Sequence, residues 1–435
     1  MRADHYGWAT FGLAVLAQMV TGWAIYAYVE LAGADGALIG GIRAAQGLWV
    51  AGIAPLVGVW SDRARAVHGS RRPWLVRALP LYCVSFFALF LVAEHAPAAA
   101  LVPAFALLLW LFDSAGLVLW VGYSSLLSEL FRGTASRARA AGLRQAAVFG
   151  GMVVGIGLTP TLSALLGLAG LALVLGALGG LLAARPLGAL ALRGEAPAAD
   201  GEQVPVGTGL ARLGTTLGDR SLVRLLVPAT LLQIATSMQA ANLPFFSRYS
   251  LGLDPGDTSI VLVTVLGGAI PGGLFWGWLV RRVGAAALWP AVIVVFTLVS
   301  LTAWWPVGLW RSLPVGLGIA LAVSGQVVLV DLRLAEVIDA AGRREGGVGA
   351  GRYQGIYMVM VRLAAMGQGA SLLLVAALYG YRTGVDPGPD PATAFRVLVA
   401  GLPAMLGLFA LLTHLGLTRV TNRDEGEVTA HRPQP

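Results

Sequence analysis

Apolar runs of about 20 residues recur along nearly the whole chain, separated by short polar segments. Each is long enough to cross a hydrocarbon core of roughly 30 Å. In lipid every backbone N–H and C=O needs an internal partner, so such runs fold as helices or as closed barrels. The runs lack the in–out alternation of barrel strands, and helices are the reading. Only 12% of the 435 residues are charged, about half the share usual in a soluble domain. The first run is itself long enough to span, so it reads as a spanning helix rather than a cleavable leader.

Hydropathy places helices near 7–31, 37–60, 74–95, 98–127, 141–164 and 166–190. A polar stretch at 191–222 follows. Six more helices are expected near 223–249, 257–280, 285–306, 312–335, 352–380 and 394–417. The expected fold is all-α, a polytopic membrane protein of twelve transmembrane helices in two six-helix bundles. Residues 1–190 form the first bundle, 191–222 a cytoplasmic linker, 223–417 the second bundle and 418–435 a cytoplasmic tail.

All 30 basic residues are arginine, because the chain has no lysine. That excludes a Walker lysine and a Schiff-base lysine. Cys83 is the lone cysteine, the five histidines are far apart, and neither HExxH nor GxSxG occurs. No enzyme chemistry, cofactor or metal centre is therefore expected. Placing both termini in the cytoplasm puts 24 of the 30 arginines on that side, the exceptions being Arg43, Arg248, Arg311, Arg362, Arg382 and Arg396. The net charge of +8 is accordingly a topology signal of an inner-membrane protein, not a nucleic-acid footprint.

The two halves echo each other. "GVWSDRARAVHGSRRPW" follows the second helix of the first half and "GWLVRRVGAAALWP" that of the second. Paired halves with matching basic loops suit a two-bundle, alternating-access protein. The segment Gly58–Arg72 resembles the loop 2–3 signature of the major facilitator superfamily. There Gly58 would permit close helix packing, and Asp62, Arg63, Arg71 and Arg72 would form a cytoplasmic charge latch. A narrower resemblance, to the glycoside–pentoside–hexuronide:cation symporters related to melibiose permeases, rests on several segments. They are "PLVGVWSDRARAVHGSRRPWL", "GYSSLLSELFRGTASRARAAGLRQ", "FFSRYSLG", "LAEVIDAAGRREGG" and "GIYMVMVRLAAMGQGASLLL".

The departures from that family are as informative. Its cation-binding carboxylates before Pro-x-x-Gly fall at Val50 and Ala54, its first-helix acid near Ala14 and its fourth-helix acid near Trp120. Sodium is therefore not expected at the family site, since Val and Ala offer no oxygen ligands. The family's cavity arginine matches Arg144, and Arg362 replaces its helix-11 lysine. Asp113, in the apolar run "LLLWLFDSAGLVLW" on the face of Trp120, is the leading group for proton coupling or substrate contact. Its expected partner is Arg362 or Arg43. Glu30 is read as interfacial, and Asp331, Arg333, Glu336, Asp339 and Glu345 as gate charges.

Asp113, Trp120, Arg144 and Arg362 are thus the expected cavity residues of a secondary transporter for a small organic solute, coupled to protons or uncoupled. The alternative is a non-transporting assembly or chaperone protein on the same scaffold, which the missing acids would suit.

Overall fold

The computed structural model describes residues 3–68, 72–130, 134–191, 218–344, 350–364 and 366–430. They form twelve consecutive helical rods. In the first half, α1 runs Ala3–Met19 and continues through π-helical turns at Val20–Ala24 and Ala27–Leu31. Next come α2 (Gly36–His68), α3 (Arg72–His95) and α4 (Ala98–Leu130). Then α5 runs Thr134–Met152, a π turn Val153–Gly157 and Thr159–Leu166, and α6 runs Leu168–Ala191.

The second half holds α7 (Arg220–Phe245, ending in a π turn Phe246–Ser250), α8 (Pro255–Val283), α9 (Ala285–Thr302) and α10 (Leu309–Arg344). In α11, Ala350–Ala364 is followed by Met366–Tyr379. Finally α12 takes in Pro391–Arg396, a π turn Val397–Gly401 and Leu402–Ala430. Among the described residues ten helices are long and apolar enough to cross a membrane, or eleven counting the bent α5 as one span; α1 supplies the twelfth rod.

Hydropathy found the membrane-crossing parts but not the full helices. The expected 37–60 helix extends to His68, and those at 98–127 and 312–335 reach Leu130 and Arg344. Arg- and Ala-rich sequence continues a helix well, and hydropathy ends where lipid ends, not where the helix does. The Gly58–Arg72 signature is thus mostly α2 itself rather than a loop. Gly58, Asp62 and Arg63 lie on α2, with their side chains outside the description; Arg71 is outside the described residues, and Arg72 opens α3 with an exposed side chain.

Packing follows the sequence halves. Helix α1 packs on α5 and α6, α3 on α4 and α6, and α2 on α4. In the second half α7 packs on α12 and α11, α8 on α10, and α9 on α10 and α12. Large aromatic side chains fill the interiors, among them Tyr6, Tyr28, Tyr82, Phe86 and Phe112 in the first half and Trp289 and Phe296 in the second. Helix α2 meets α11, and α5 meets α8, across the seam between the halves.

Glycine decides how closely α2 and α11 approach. A Cβ on Gly369 would strike the Gly40 carbonyl and lie 2.7 Å from the Ala44 nitrogen. Gly151 permits the same closeness to α1, since a Cβ there would lie 3.0 Å from the Ala14 carbonyl carbon and 3.0 Å from the Val15 nitrogen. Pro271 lies inside α8, and α5 bends by 51° between Gly142–Gly157 and Thr159–Leu166.

Candidate functional site

The glycine contact brings a polar cluster together within the apolar seam. Arg43, one turn beyond Gly40 on α2, donates from Nη1 to Asp113 Oδ2 of α4 at 2.9 Å and to Gln46 Oε1 at 3.0 Å. Its Nε and Nη2 both donate to Gln368 Oε1 of α11, at 3.2 and 3.1 Å. Gln46 Nε2 also donates to Asp113 Oδ2. One guanidinium fork thus ties a carboxylate of the first half to an amide of the second. The fixed planar donors of arginine suit such a three-way junction better than a lysine ammonium would.

Of the two expected partners of Asp113, Arg43 is in place, and the Arg362 side chain lies outside the description. The Arg43 side chain is 10% exposed and that of Asp113 is 24% exposed. The carboxylate is therefore partly open inside the structure. Beside it, Trp49 of α2 stacks on Trp110 of α4, with centroids 5.8 Å apart and planes 4° apart, and donates Nε1 to Ser114 Oγ at 3.3 Å. These contacts lock α2 to α4 at the depth of the ion pair.

The remaining expected residues are not all gathered here. Trp120 is half-buried on the α4 face of Asp113, one step nearer the chain termini. Arg144 of α5 is half-buried, with its charge near the Tyr6 phenol, whose hydroxyl donates to the Tyr123 carbonyl at 2.9 Å. The Arg362 backbone lies in α11; its side chain is outside the description.

Positions where the symporters carry acids are filled by packing. Val50 joins Val57 and Leu117 in a small apolar cluster bordered by Ala54, and Ala14 is buried facing Gly151.

A second cluster, at the face opposite the chain termini (the distal face), corrects the reading of Glu30. Its side chain is fully buried rather than interfacial. Tyr249 donates to Oε1 at 2.6 Å, Tyr381 to Oε2 at 2.7 Å, and Arg248 Nη1 lies 3.2 Å from Oε1. All three partners belong to the second half. Glu30 sits in the π turn Ala27–Leu31, and Arg248 and Tyr249 in the π turn Phe246–Ser250. Such widened turns re-aim side chains that a regular helix would point elsewhere. Burial and the Glu30 carboxylate push the Tyr381 phenol well above its ordinary range, so it stays a donor.

Backbone bonds continue the distal seam. Gly36 N–H donates to the Arg382 carbonyl at 2.8 Å, and Gly384 N–H to the Val29 carbonyl at 3.2 Å. Thr161 N–H of α5 donates to Ser259 Oγ of α8 at 3.2 Å. These hydrogen bonds between the halves lie at the Arg43–Gln368 level or distal to it.

Gln46 and Gln368 were not among the expected cavity residues, and Arg248, Tyr249 and Tyr381 were not read as site residues. One signal was available. Arg43 and Arg248 are exceptions to the arginine asymmetry, and both are held by a buried or half-buried carboxylate. The amides Gln239 and Asn242 behave as expected, bonding Ser300 and Ser371 across helices at 3.2 and 2.7 Å.

The fold is shared with solved transporters. The crystal structure of the nucleoside transporter NupG superposes with a TM-score of 0.70 at 16% identity, over 95% of this chain and 99% of that one. A bacterial homolog of the human lysosomal transporter Spinster, in an inward-facing and unoccupied conformation, gives 0.63 at 14% identity over 97% and 98%. The same homolog in its inward-facing, occupied conformation gives 0.63 at 13% identity over 96% and 95%. No curated protein matches the chain. The family described as MFS/sugar transport protein matches residues 5–417. With twelve rods in two halves and that match over nearly its whole length, the chain belongs to the MFS/sugar transport family, a multi-pass membrane transporter of the major facilitator superfamily.

Proposed function

We propose that this transporter moves a small polar organic solute by alternating access, with Asp113 as the group whose charge state or substrate contact is tied to the rocking of the halves. The observation that carries this reading is the Arg43 fork, which bonds the Asp113 carboxylate on one side and Gln368 of the other half on the second. A carboxylate paired with an arginine at the seam changes its hold on that arginine when it is protonated or when a solute hydroxyl competes for it. The units that rock are residues 1–190 and 223–417, joined by the 191–222 linker, with both termini and the 418–435 tail in the cytoplasm. Trp120 offers a stacking face, and Arg144 and Arg362 fixed positive charge. Gly58, Asp62, Arg63, Arg71 and Arg72 would close the cytoplasmic side when the distal side opens.

Sodium coupling through the symporters' second-helix site is not part of this proposal, because Val50 and Ala54 there carry no oxygen ligand. Coupling is by protons at Asp113 or is absent. Counterflow in proteoliposomes with a panel of sugars, nucleosides and small organic acids tests the reading. Exchange of at least one solute is expected, and Asp113→Asn should keep exchange while losing accumulation driven by an imposed pH gradient. Absence of exchange across the panel sinks the transporter reading, and unchanged accumulation in the variant removes Asp113 from coupling.

A further inference from the structure

The distal seam borders a half-open cavity of about 560 Å³ that lies apart from the Asp113 cluster. That volume falls in the range of small-molecule sites, roughly 300–1,000 Å³. Its walls come from both halves. Trp23, Tyr26 and Ser163 belong to the first, and Arg248 and Thr258 to the second. The lining is mostly apolar. Trp23 and Tyr26 meet edge to face with centroids 5.4 Å apart, and the indole is held in place by donating Nε1 to the Ile156 carbonyl at 3.0 Å.

Arg248 is the polar feature that gives the cavity a chemistry. Its side chain is 50% exposed, and its contacts to Glu30 and Tyr26 are both made through Nη1. Those contacts restrain the guanidinium through one nitrogen, and Arg248 lines the cavity with no hydrogen bond from Nε or Nη2 to another described residue. The Nε/Nη2 edge is the bidentate donor pair that fits a carboxylate, sulfonate or phosphate oxygen pair. Glu30 already offsets part of the Arg248 charge, and the Glu94 carboxylate on the same wall, fixed by the Ala169 N–H at its Oε2, repels anions, so the site tolerates a single negative charge placed directly on the guanidinium.

We infer that this cavity is a binding site for an amphipathic monoanion with a compact aromatic or cyclic body. Its anionic group sits on Arg248 and its ring against Trp23 and Tyr26. Because the walls belong to both halves, such a ligand fits the closed distal seam and is lost when the seam opens. It therefore acts from the distal face as a brake on opening, at a site distinct from the one at Asp113.

Calorimetric titration of the full chain in nanodiscs with 2-naphthalenesulfonate tests this without any transport measurement. Saturable one-to-one binding is expected. Arg248→Gln should weaken it about tenfold. Ser163→Trp and Thr258→Phe, which fill the cavity from opposite halves and leave Arg248 in place, should abolish it. Asp113→Asn should leave it unchanged. Each variant's melting temperature identifies any that fails to fold, and the two filling variants serve as replacements for each other. A wild-type chain that does not bind overturns the inference. So does loss of binding in Asp113→Asn with retention in both filling variants, which would place the probe in the central site. A parallel titration with dihexanoylphosphatidylglycerol separates a soluble ligand from a lipid headgroup, and binding confined to the lipid also overturns the proposal.

Discussion

At the scale of single residues, the decisive interaction is Arg43 with Asp113. Removing one member of a largely desolvated ion pair leaves the other without compensation, which typically costs about 3–5 kcal/mol. The 24% exposure of Asp113 lowers that, and Arg43→Gln is expected to destabilise by about 2–3 kcal/mol. The double variant Arg43→Gln/Asp113→Asn should recover at least half, because two neutral amide groups can bond each other. Thermal unfolding in one detergent, run as a double-mutant cycle, checks this; a simple sum of the single effects would show that the pair does not act as a unit. The sequence singled out Asp113 as the intramembrane acid and offered Arg43 as one of its two expected partners, and the Arg43 pair is present. It read Glu30 as interfacial because a position near a helix end is compatible with either water or a neighbour, and hydropathy has no view of the neighbour.

At the scale of elements, Gly40 and Gly369 set the distance between α2 and α11, and that distance makes the Arg43–Gln368 bonds possible. Gly369→Ala has to push the helices apart, since its Cβ would meet backbone on α2 rather than a yielding side chain. A cost of about 1–3 kcal/mol is expected. Gly41→Ala, one residue away with open space around it, should be neutral or stabilising by up to about 1 kcal/mol through helix propensity alone. Melting temperatures of the two variants that move together would remove the steric explanation.

The start of α12 gives a pH test. Asp390 accepts the Thr393 N–H at 3.0 Å, and hydrogen bonding from Thr393 holds its carboxyl below the ordinary range. A carboxyl depressed in the folded state contributes above its unfolded value near pH ~3.9 and stops contributing as pH falls through the folded value. Asp390→Ala should therefore lower the melting temperature at pH 7 and have a progressively smaller effect as pH falls through the folded value of the carboxyl. Equal effects across that range would mean that the cap's charge is irrelevant.

At the scale of the whole molecule, the distal seam is closed by one carboxylate of the first half and three groups of the second. Glu30→Gln keeps the shape but loses the charge that faces Arg248. In a Cys83→Ala background, a cysteine placed at the buried seam position Val29 is expected to react slowly with a membrane-impermeant maleimide added from the distal side. Adding Glu30→Gln should raise that rate about tenfold, as a loss near 1.4 kcal/mol of seal would do. No change in rate would show that the seam is held by packing and backbone bonds alone.

What the sequence determined by itself was set by the solvent. Apolar runs of spanning length force helices, and the polar stretch between two sets of six separates the halves of the major facilitator fold. Even the missing symporter acids at Val50 and Ala54 were plain from residue type. Tertiary structure alone decided which polar groups meet. Arg43 reaches Gln368 across 325 residues only because two glycines let their helices touch, and Tyr381 reaches Glu30 across 351 because two π turns and a loop converge. Burial of a charge depends on what packs over it, and no local pattern along the chain contains that information.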